Sequence, residues 1–481
     1  MSNGRARLPP SRNGAEVEDI PGGWTVCELR DAGNWSSGGT PSRSRGEYFG
    51  QGVPWIKSGD LPDGPVTATE EQITELGLQS SAAKLLPPGT VSMALYGATI
   101  GKLGILTREA ATNQACANVI PNAELVDKWY LFYFLLGERR SFVDLAQGGT
   151  QPNISQQIVR DFTLRLAPLA EQRRIVAALE QILGKVASCQ TRLARIPTLL
   201  KRFRQAVLAA ACSGRLTANW REEHASNERR ECADIPATWT ITTVSDVCVA
   251  IVDCPHSTPE WTTSGEVCFR TTNFRVGQLD LSEMRYVSPE TYKQRVSRLI
   301  PQFEDILYSR EGGILGIACQ MPSGLRACLG QRMMLMRTNP GRSVPTYLMH
   351  VLNSPATTAV VRELTGGTAS PHLNVGTIKA FEVPLPPLAE QQEIVRRVDA
   401  LFAVADQIEA RYLAARRHVD RLTQSVLAKA FRGELVPTEH ALAAAENRDY
   451  EPAKKLLERI RAARPANPAP RRRAAARRPP S

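Results

Sequence analysis

The sequence predicts a mixed α/β (α+β) fold. Two globular domains are separated by two long antiparallel α-helices that form a coiled coil, and the whole carries an internal pseudo-twofold repeat. Three observations predict it. A helical stretch occurs twice at a constant offset, a Trp-led opening occurs twice at a nearly equal one, and the apolar residues of both helical stretches keep heptad spacing.

The helical stretch first reads Pro168-Leu169-Ala170-Glu171-Gln172 and runs to Gly214-Arg215-Leu216. It returns as Pro387-Leu388-Ala389-Glu390-Gln391 and runs to Gly433-Glu434-Leu435. From Pro168 to Pro387, and from Gly214 to Gly433, the offset is 219 residues. A constant offset over nearly the whole stretch means that the length of this element is constrained. In the first copy apolar residues fall at Ile175, Leu179, Ile182, Val186, Cys189, Leu193, Ile196, Leu200, Phe203, Val207 and Ala210, in steps of four and three. The second copy repeats this spacing from Ile394 through Val398, Leu401, Ala405, Ile408 and Tyr412 to Val426. Each helix starts after a proline, carries Glu-Gln in its first turn and has a glycine near its end. A helix of about 44 residues is a rod of roughly 65 Å, and its apolar seam needs a partner; the other copy is the natural one. Pro197 falls inside the first pattern and predicts a kink or a split there. Arg416 stands at the matching place in the second copy.

The globular parts open alike. Ile20-Pro21-Gly22-Gly23-Trp24 returns as Ile235-Pro236-Ala237-Thr238-Trp239, and from Trp24 to Trp239 the offset is 215. Small net insertions therefore lie between the Trp and the helix. Short alternating runs such as Thr90 to Tyr96 and Val53 to Lys57 read as strands. Asp305 to Arg310 and Cys268 to Asn273 take their places in the second half, and Gly366-Gly367-Thr368 matches Gly148-Gly149-Thr150. The scaffold letters persist while the polar letters change, which suggests two sites of one type that recognise different things.

The boundaries that follow are a flexible tail over 1–19, globular domains over 20–167 and 235–386, long helices over 168–216 and 387–435, a linker over 217–234, and a helical extension with a basic tail over 436–481. Tyr450 to Ala463 is amphipathic, and the Pro/Ala/Arg segment beyond reads as a solvated extension. Net charge is +11, but Lys454 to Ser481 holds ten Lys/Arg against Glu458. That leaves only +2 for the rest, so any nucleic-acid contact by the body needs a local patch. The ten cysteines form no C-x-x-C pair, as expected of buried thiols in a reducing cytoplasm.

Catalytic motifs fail one by one. Gly97-Ala98-Thr99-Ile100-Gly101-Lys102-Leu103 has three residues between its glycines, where a phosphate cradle needs four, and Leu where Ser/Thr should hold Mg²⁺. Dinucleotide, zinc-protease and nucleophile-elbow signatures are missing, as is the Asn-Pro-Pro-aromatic motif of amino-methyltransferases. Asp253-Cys254-Pro255-His256 has the ingredients of a metal or nucleophile site, but a hydrogen-bonding role is the commoner use.

The doubled Pro-Leu-Ala-Glu-Gln, the doubled Gly-x-Leu end, the Trp-opened halves, Ser58-Gly59-Asp60 and the Gly-Gly-Thr loops resemble a specificity (S) subunit of a Type I restriction-modification system, over about Pro21 to Leu435. That resemblance implies two target recognition domains, each reading half of a split DNA sequence. It implies a coiled coil that sets the spacer and docks two methyltransferase (M) subunits, which bring S-adenosylmethionine. Restriction/translocase (R) subunits, which use ATP and Mg²⁺, join that core in the cytoplasm. The chain itself has no active site and no cofactor on this reading. A self-sufficient DNA modification enzyme and a coiled-coil scaffold without a DNA role are the alternatives.

Base readout needs side chains that reach groove edges, and phosphate contacts set the register. The expected DNA-binding residues are loop and strand-end polar groups. In the first domain they are Arg43, Arg45, Lys57, Ser58, Lys102, Gln151 and Asn153. In the second they are His256, Arg270, Asn273, Arg275, Arg310, Arg332, His372 and Asn374. Ser58-Gly59-Asp60 as a turn, and Gly148-Gly149-Thr150, read more readily as scaffold. Glu171, Gln172, Glu390 and Gln391 read as helix starts, with M-subunit contact as the alternative.

Overall fold

The computed structural model describes residues 20–146, 152–224, 235–366 and 371–463. The chain forms two compact units, Met1–Thr191 with Arg416–Ser481, and Arg192–Ala415. The first of the long stretches is divided: α1 spans Leu169–Leu193 and α2 spans Ile196–Cys212. Pro197 lies in the first turn of α2, where its missing N–H has no helical partner to lose. The second stretch is one helix, α3, Leu388–Phe431, with Arg416 inside it. The proline therefore splits one copy, and the other runs on.

In the first unit, Gly33–Ser37, Cys116–Pro121, Val91–Ala94, Leu103–Leu106 and Gly64–Val66 lie side by side in a five-stranded sheet. A three-stranded sheet carries Phe49–Ile56 at its centre. The opening strand Thr25–Glu28 pairs antiparallel with the closing strand Thr163–Leu166. The second unit repeats this plan. Cys248–Asp253, Met333–Thr338, Ile306–Ser309 and Ala318–Gln320 form a four-stranded sheet, and Thr240–Thr243 pairs with Glu382–Leu385. Strands Val91–Ala94 and Ile306–Ser309 are buried along their whole length, as expected at the centre of covered sheets.

In the first unit Ile175 and Leu179 of α1 are fully buried with Leu427, Ala430 and Phe431 of α3 and with the helix Lys128–Gly137. Asp127 caps that helix by accepting from Trp129 N at 2.8 Å. In the second unit Val207, Leu208 and Ala211 of α2 pack with Ile394 and Val398 of α3. There the helices run antiparallel: Arg204 pairs with Asp406 and Glu409, while Arg397 further back on α3 donates to Leu216 O. The heptad pattern is thus used at these ends. Cys189, Phe203 and Ile408, also on the seam, are exposed.

The helix-end glycines show why the stretch ends in Gly. Gly214 and Gly433 have φ of +76° and +75°, and an added Cβ would lie 2.4 Å from Pro236 and Pro21 respectively. Each meets the proline that opens the globular part of its own unit. The C-terminal extension belongs to the first unit as two helices, α4 (Glu439–Glu446) and α5 (Ala453–Ala463). Leu456, Leu457 and Ile460 of α5 are buried in its core, as the amphipathic pattern required. The expected linker over 217–234 begins as the helix Ala218–His224; its remainder from 225 to 234, the first 19 residues and the tail from 464 lie outside the described residues.

One core histidine yields a pH prediction. His350, on the helix Pro345–Leu352, is buried against Phe402 of α3, and its Nε2 has no partner among the described residues. Burial holds its pKa at about 4, below the ordinary 6.5. A depressed histidine contributes stability above the unfolded pKa and loses it as pH falls toward the folded one. The loss begins near pH 6.5 and reaches about 2 kcal/mol at pH 5. Thermal melts at pH 7.5 and 5 are expected to show this increment in the natural chain and not in His350→Phe. An equal fall in both chains would remove His350 as its source.

Candidate nucleic-acid interface

The two Glu-Gln pairs set the frame. Glu171 is fully buried, and Oε1 accepts from Trp24 Nε1 at 2.8 Å while Oε2 accepts from Glu439 N at 2.7 Å. Burial pushes its carboxyl above the usual range, and these two donors work against that. Gln172 accepts from Asp127 N at 2.8 Å and donates to Leu125 O and Ala167 O at 3.0 and 2.9 Å. In the second unit Glu390 Oε2 accepts from Trp239 Nε1 at 2.9 Å, and Oε1 from Thr217 Oγ1 and Arg221 Nη1 at 2.7 and 2.5 Å. Gln391 accepts from Val344 N at 2.8 Å and donates to Arg342 O and Pro386 O, both at 2.9 Å. The helix-start reading is therefore incomplete. These side chains are buried joints that fasten each globular part to its helix, the glutamates through the Trp that opens it and the glutamines through loop backbone.

The expected contact residues of the first unit fall into two groups. Arg43, Arg45, Lys57 and Ser58 surround the strand Phe49–Ile56. Arg43 lies over Phe49 at 4.5 Å and pairs with Glu71 at 2.8 Å. Lys57 pairs with Glu70 and Glu71 at 3.0 and 3.1 Å, and Arg45 with Glu47 at 3.6 Å. Hydrogen bonds from Arg43 and then Lys57 hold Glu71 below its ordinary pKa, and donation to Glu70 and then Glu71 raises Lys57. Exposed pairs of this kind are worth about 0–1 kcal/mol, so phosphate oxygens can replace these carboxylates at little cost. Ser58 opens a single 3-10 turn that Asp60 closes by accepting from Lys57 N at 2.9 Å. Lys102 and Asn153 lie elsewhere, at the glycine loop: Lys102 N donates to Thr99 O, and Asn153 bridges to Tyr96. Gln151 lies outside the described residues, as do Gly148-Gly149-Thr150.

In the second unit four of the expected residues converge. Arg310 is 4% exposed, its Nε and Nη2 donate to Asp253 at 2.9 and 3.1 Å, and its Nη1 pairs with Glu311 at 2.8 Å. His256 stands at the mouth of this cluster, 3.1 Å from Asp253 and 3.2 Å from Arg310 Nη2. His372 is exposed and bridges to Glu311, and Arg332 accepts Arg310 N at its carbonyl. Asn374, exposed, follows as the cap position of the short helix Val375–Lys379. Arg270, Asn273 and Arg275 form a separate turn. Arg275 pairs there with Asp280 at 2.8 Å, and Arg270 approaches Glu283 at 3.9 Å.

Two expected base readers are otherwise engaged. Asn273 is buried; its Oδ1 accepts from Arg270 N at 2.9 Å and its Nδ2 donates to Asp280 O and Glu283 O, both at 3.0 Å. It braces the turn that matches Ser58-Gly59-Asp60. Arg310 is an internal brace that shapes the surface. The metal-like run at Asp253 is also resolved: Cys254 is buried, accepts from Met333 N at 3.1 Å, and has its thiol pushed up to about 11 by burial.

Sequence reasoning missed Tyr96, Glu311, Thr40 and Gln114. Tyr96 is an exposed aromatic next to the glycine loop, and Thr40 bonds to Gln114 at the same end of the sheet. The signal available for Tyr96 and Glu311 was the 215-residue offset between them, since each stands immediately before a loop glycine.

Residues 21–198 and 236–415 each match the family described as the Type I restriction modification DNA specificity domain. The EcoBI specificity subunit of Escherichia coli is 33% identical over 375 residues, covering 74% of this chain and 76% of that protein. The EcoKI specificity subunit of Escherichia coli strain K12 is 28% identical over 468 residues, covering 93% and 97%. Among solved structures, a chain from a study of type I R-M complex assembly has a TM-score of 0.66 at 18% identity, covering 86% of this chain and 99% of its own. The HsdS subunit from Thermoanaerobacter tengcongensis has a TM-score of 0.51 at 19% identity, covering 86% and 98%. At these identities the two structures establish the shared fold.

Proposed function

This chain belongs to the family of Type I restriction-modification specificity subunits, and from that premise we propose that it reads a split DNA sequence, one half with residues 20–167 and the other with 235–386. The observation that carries this reading is the repeated frame with unlike loops. Both units share the order of four strands in the main sheet, the same buried Trp–Glu joint and the same glycine loop, but they present different polar side chains at equivalent places. A duplicated catalytic device would keep its chemical groups; a duplicated reader changes them.

On this reading Arg43, Arg45, Lys57, Arg270 and Arg275 meet phosphates, where charge and reach matter more than geometry. Lys102, Asn153, His256, Arg332, His372 and Asn374 stand near the glycine loops and face base edges. The stretches 168–216 and 387–435 fix the spacer and dock two M subunits, and R subunits complete the assembly. S-adenosylmethionine, ATP and Mg²⁺ belong to those partners, and the chain acts without a cofactor of its own. No helix among the described residues is long and apolar enough to cross a membrane. A cytoplasmic site of action agrees with DNA as the ligand.

Exchange of residues 24–167 for the corresponding part of a relative tests the proposal. Methylome sequencing of a host carrying the chain and its M subunit is expected to show one half of the methylated motif replaced and the other kept. An unchanged motif would refute the assignment.

A further inference from the structure

The glycine loop of each unit is fastened to the segment before a short helix by one backbone clasp, and the clasp is the same in both. In the first unit Gly97 N donates to Pro152 O at 3.0 Å and Ile154 N donates to Leu95 O at 2.9 Å. In the second, Gly312 N donates to Pro371 O at 3.1 Å and Leu373 N donates to Arg310 O at 2.8 Å. Gly97 and Gly312 both adopt a left-handed backbone, with φ of +62° and +88°. Loop residues match at an offset of 215 and the segments opposite match at 219, so the clasp joins equivalent positions of the repeat.

Between those bonds lies an antiparallel bridge, Tyr96 with Asn153 in one unit and Glu311 with His372 in the other. Residues directly opposite in an antiparallel bridge put their side chains on one face, with Cβ atoms about 4.5–5.5 Å apart. Tyr96, Asn153 and His372 are exposed, and Glu311 is half-buried beside Arg310. The backbone is therefore held constant while both side chains of the pair differ in kind. One pair offers a phenol and an amide, the other a carboxylate and an imidazole.

We propose that this clasped pair, Tyr96 with Asn153 and Glu311 with His372, is the specificity-determining pair of each unit and directly selects bases in its half-site. The inference rests on the DNA-reading function proposed above. Its chemistry is that of edge readout. Asn153 carries both a donor and an acceptor, the set that adenine matches in the major groove. Glu311 is an acceptor and selects a base that presents an amino group, cytosine N4 or adenine N6. Arg310 aims Glu311 through their 2.8 Å pair, and the clasp removes the loop freedom that would blur such a choice.

The test transplants one pair into the other frame. The full chain carrying Tyr96→Glu with Asn153→His is expressed with its M subunit in a host without other adenine methylation, and the methylated motif is read by sequencing. The expected result is a changed base at one or more positions of one half-site, with discrimination altered about 5- to 150-fold. The other half-site stays as it was. An unchanged motif, in a host where exchange of residues 24–167 does change it, overturns the pair as selector and leaves the reading function intact. If that whole-domain exchange also changes nothing, the reading function itself falls. If the double variant gives no methylation at all, Asn153→Asp and His372→Gln decide, since both positions are exposed and the changes are small. Loss or change of base preference in either supports the pair, and unchanged motifs in both overturn it.

Discussion

Replacing Glu390 with alanine is expected to cost the second unit about 3–5 kcal/mol, the range for breaking a buried ion pair from one side. The carboxylate is 1% exposed and holds three donors: the indole of Trp239, the hydroxyl of Thr217 and the guanidinium of Arg221. Alanine takes the acceptor from the buried indole and hydroxyl and leaves the guanidinium, its side chain 19% exposed, without its counter-charge. Arg221 keeps its bond to Gly214 O at 2.6 Å, so it cannot simply swing out. Urea unfolding of the full chain measures the loss. Glu409→Ala is the comparison, since its pairing with Arg204 lies at the surface and is worth about 0–1 kcal/mol. If Glu390→Ala costs no more than Glu409→Ala, the carboxylate acts only on the helix dipole, worth about 0.3–1 kcal/mol, and the joint described above is not structural.

That joint marks the limit of what the sequence disclosed. The repeat was legible because periodicity and offset are one-dimensional properties, and the helices followed from their heptad spacing. Pro197 announced a break, and the structure places the new helix start at Ile196. The purpose of Glu390 was not legible, because Trp239 lies 151 residues away and nothing local distinguishes a buried acceptor from a first-turn acid. The same blindness misassigned Asn273, an amide that looks free for a base and is spent on bracing a turn. Tyr96 and Glu311 escaped for the opposite reason. Their 215-residue offset was in the sequence, but the partner each faces across the bridge appears only in the folded units. The heptad seam was readable as a pattern, but burial along it is uneven: Val186, Leu200, Ala405 and Tyr412 are buried, while Phe203 and Ile408 keep the spacing and remain exposed.

Arg310→Met is expected to do two separable things. Asp253 and Glu311 lose the cation between them, and two carboxylates then share one corner of the sheet. The unit should lose about 3 kcal/mol, toward the low end for a one-sided break, because both carboxylates keep some access to water. Adding Asp253→Asn removes one of the stranded charges and should restore most of that stability. Recognition should not return with it. Without Arg310, Glu311 loses the 2.8 Å pair that holds its side chain and keeps only His256, at 3.9 Å, among the described residues, while His256 keeps Asp253. The half-site read by the second unit should therefore relax in the single and the double variant alike. The other half-site and the salt-sensitive, sequence-independent binding should persist, because the proposed phosphate contacts, Arg270 and Arg275 in this unit, form a separate turn. Binding titrations against DNA with one altered half-site at two salt concentrations, beside unfolding curves, separate the effects. A double variant that regains both stability and selectivity would show that Arg310 serves only the fold; one that regains stability alone makes this buried arginine the residue that positions the reading pair.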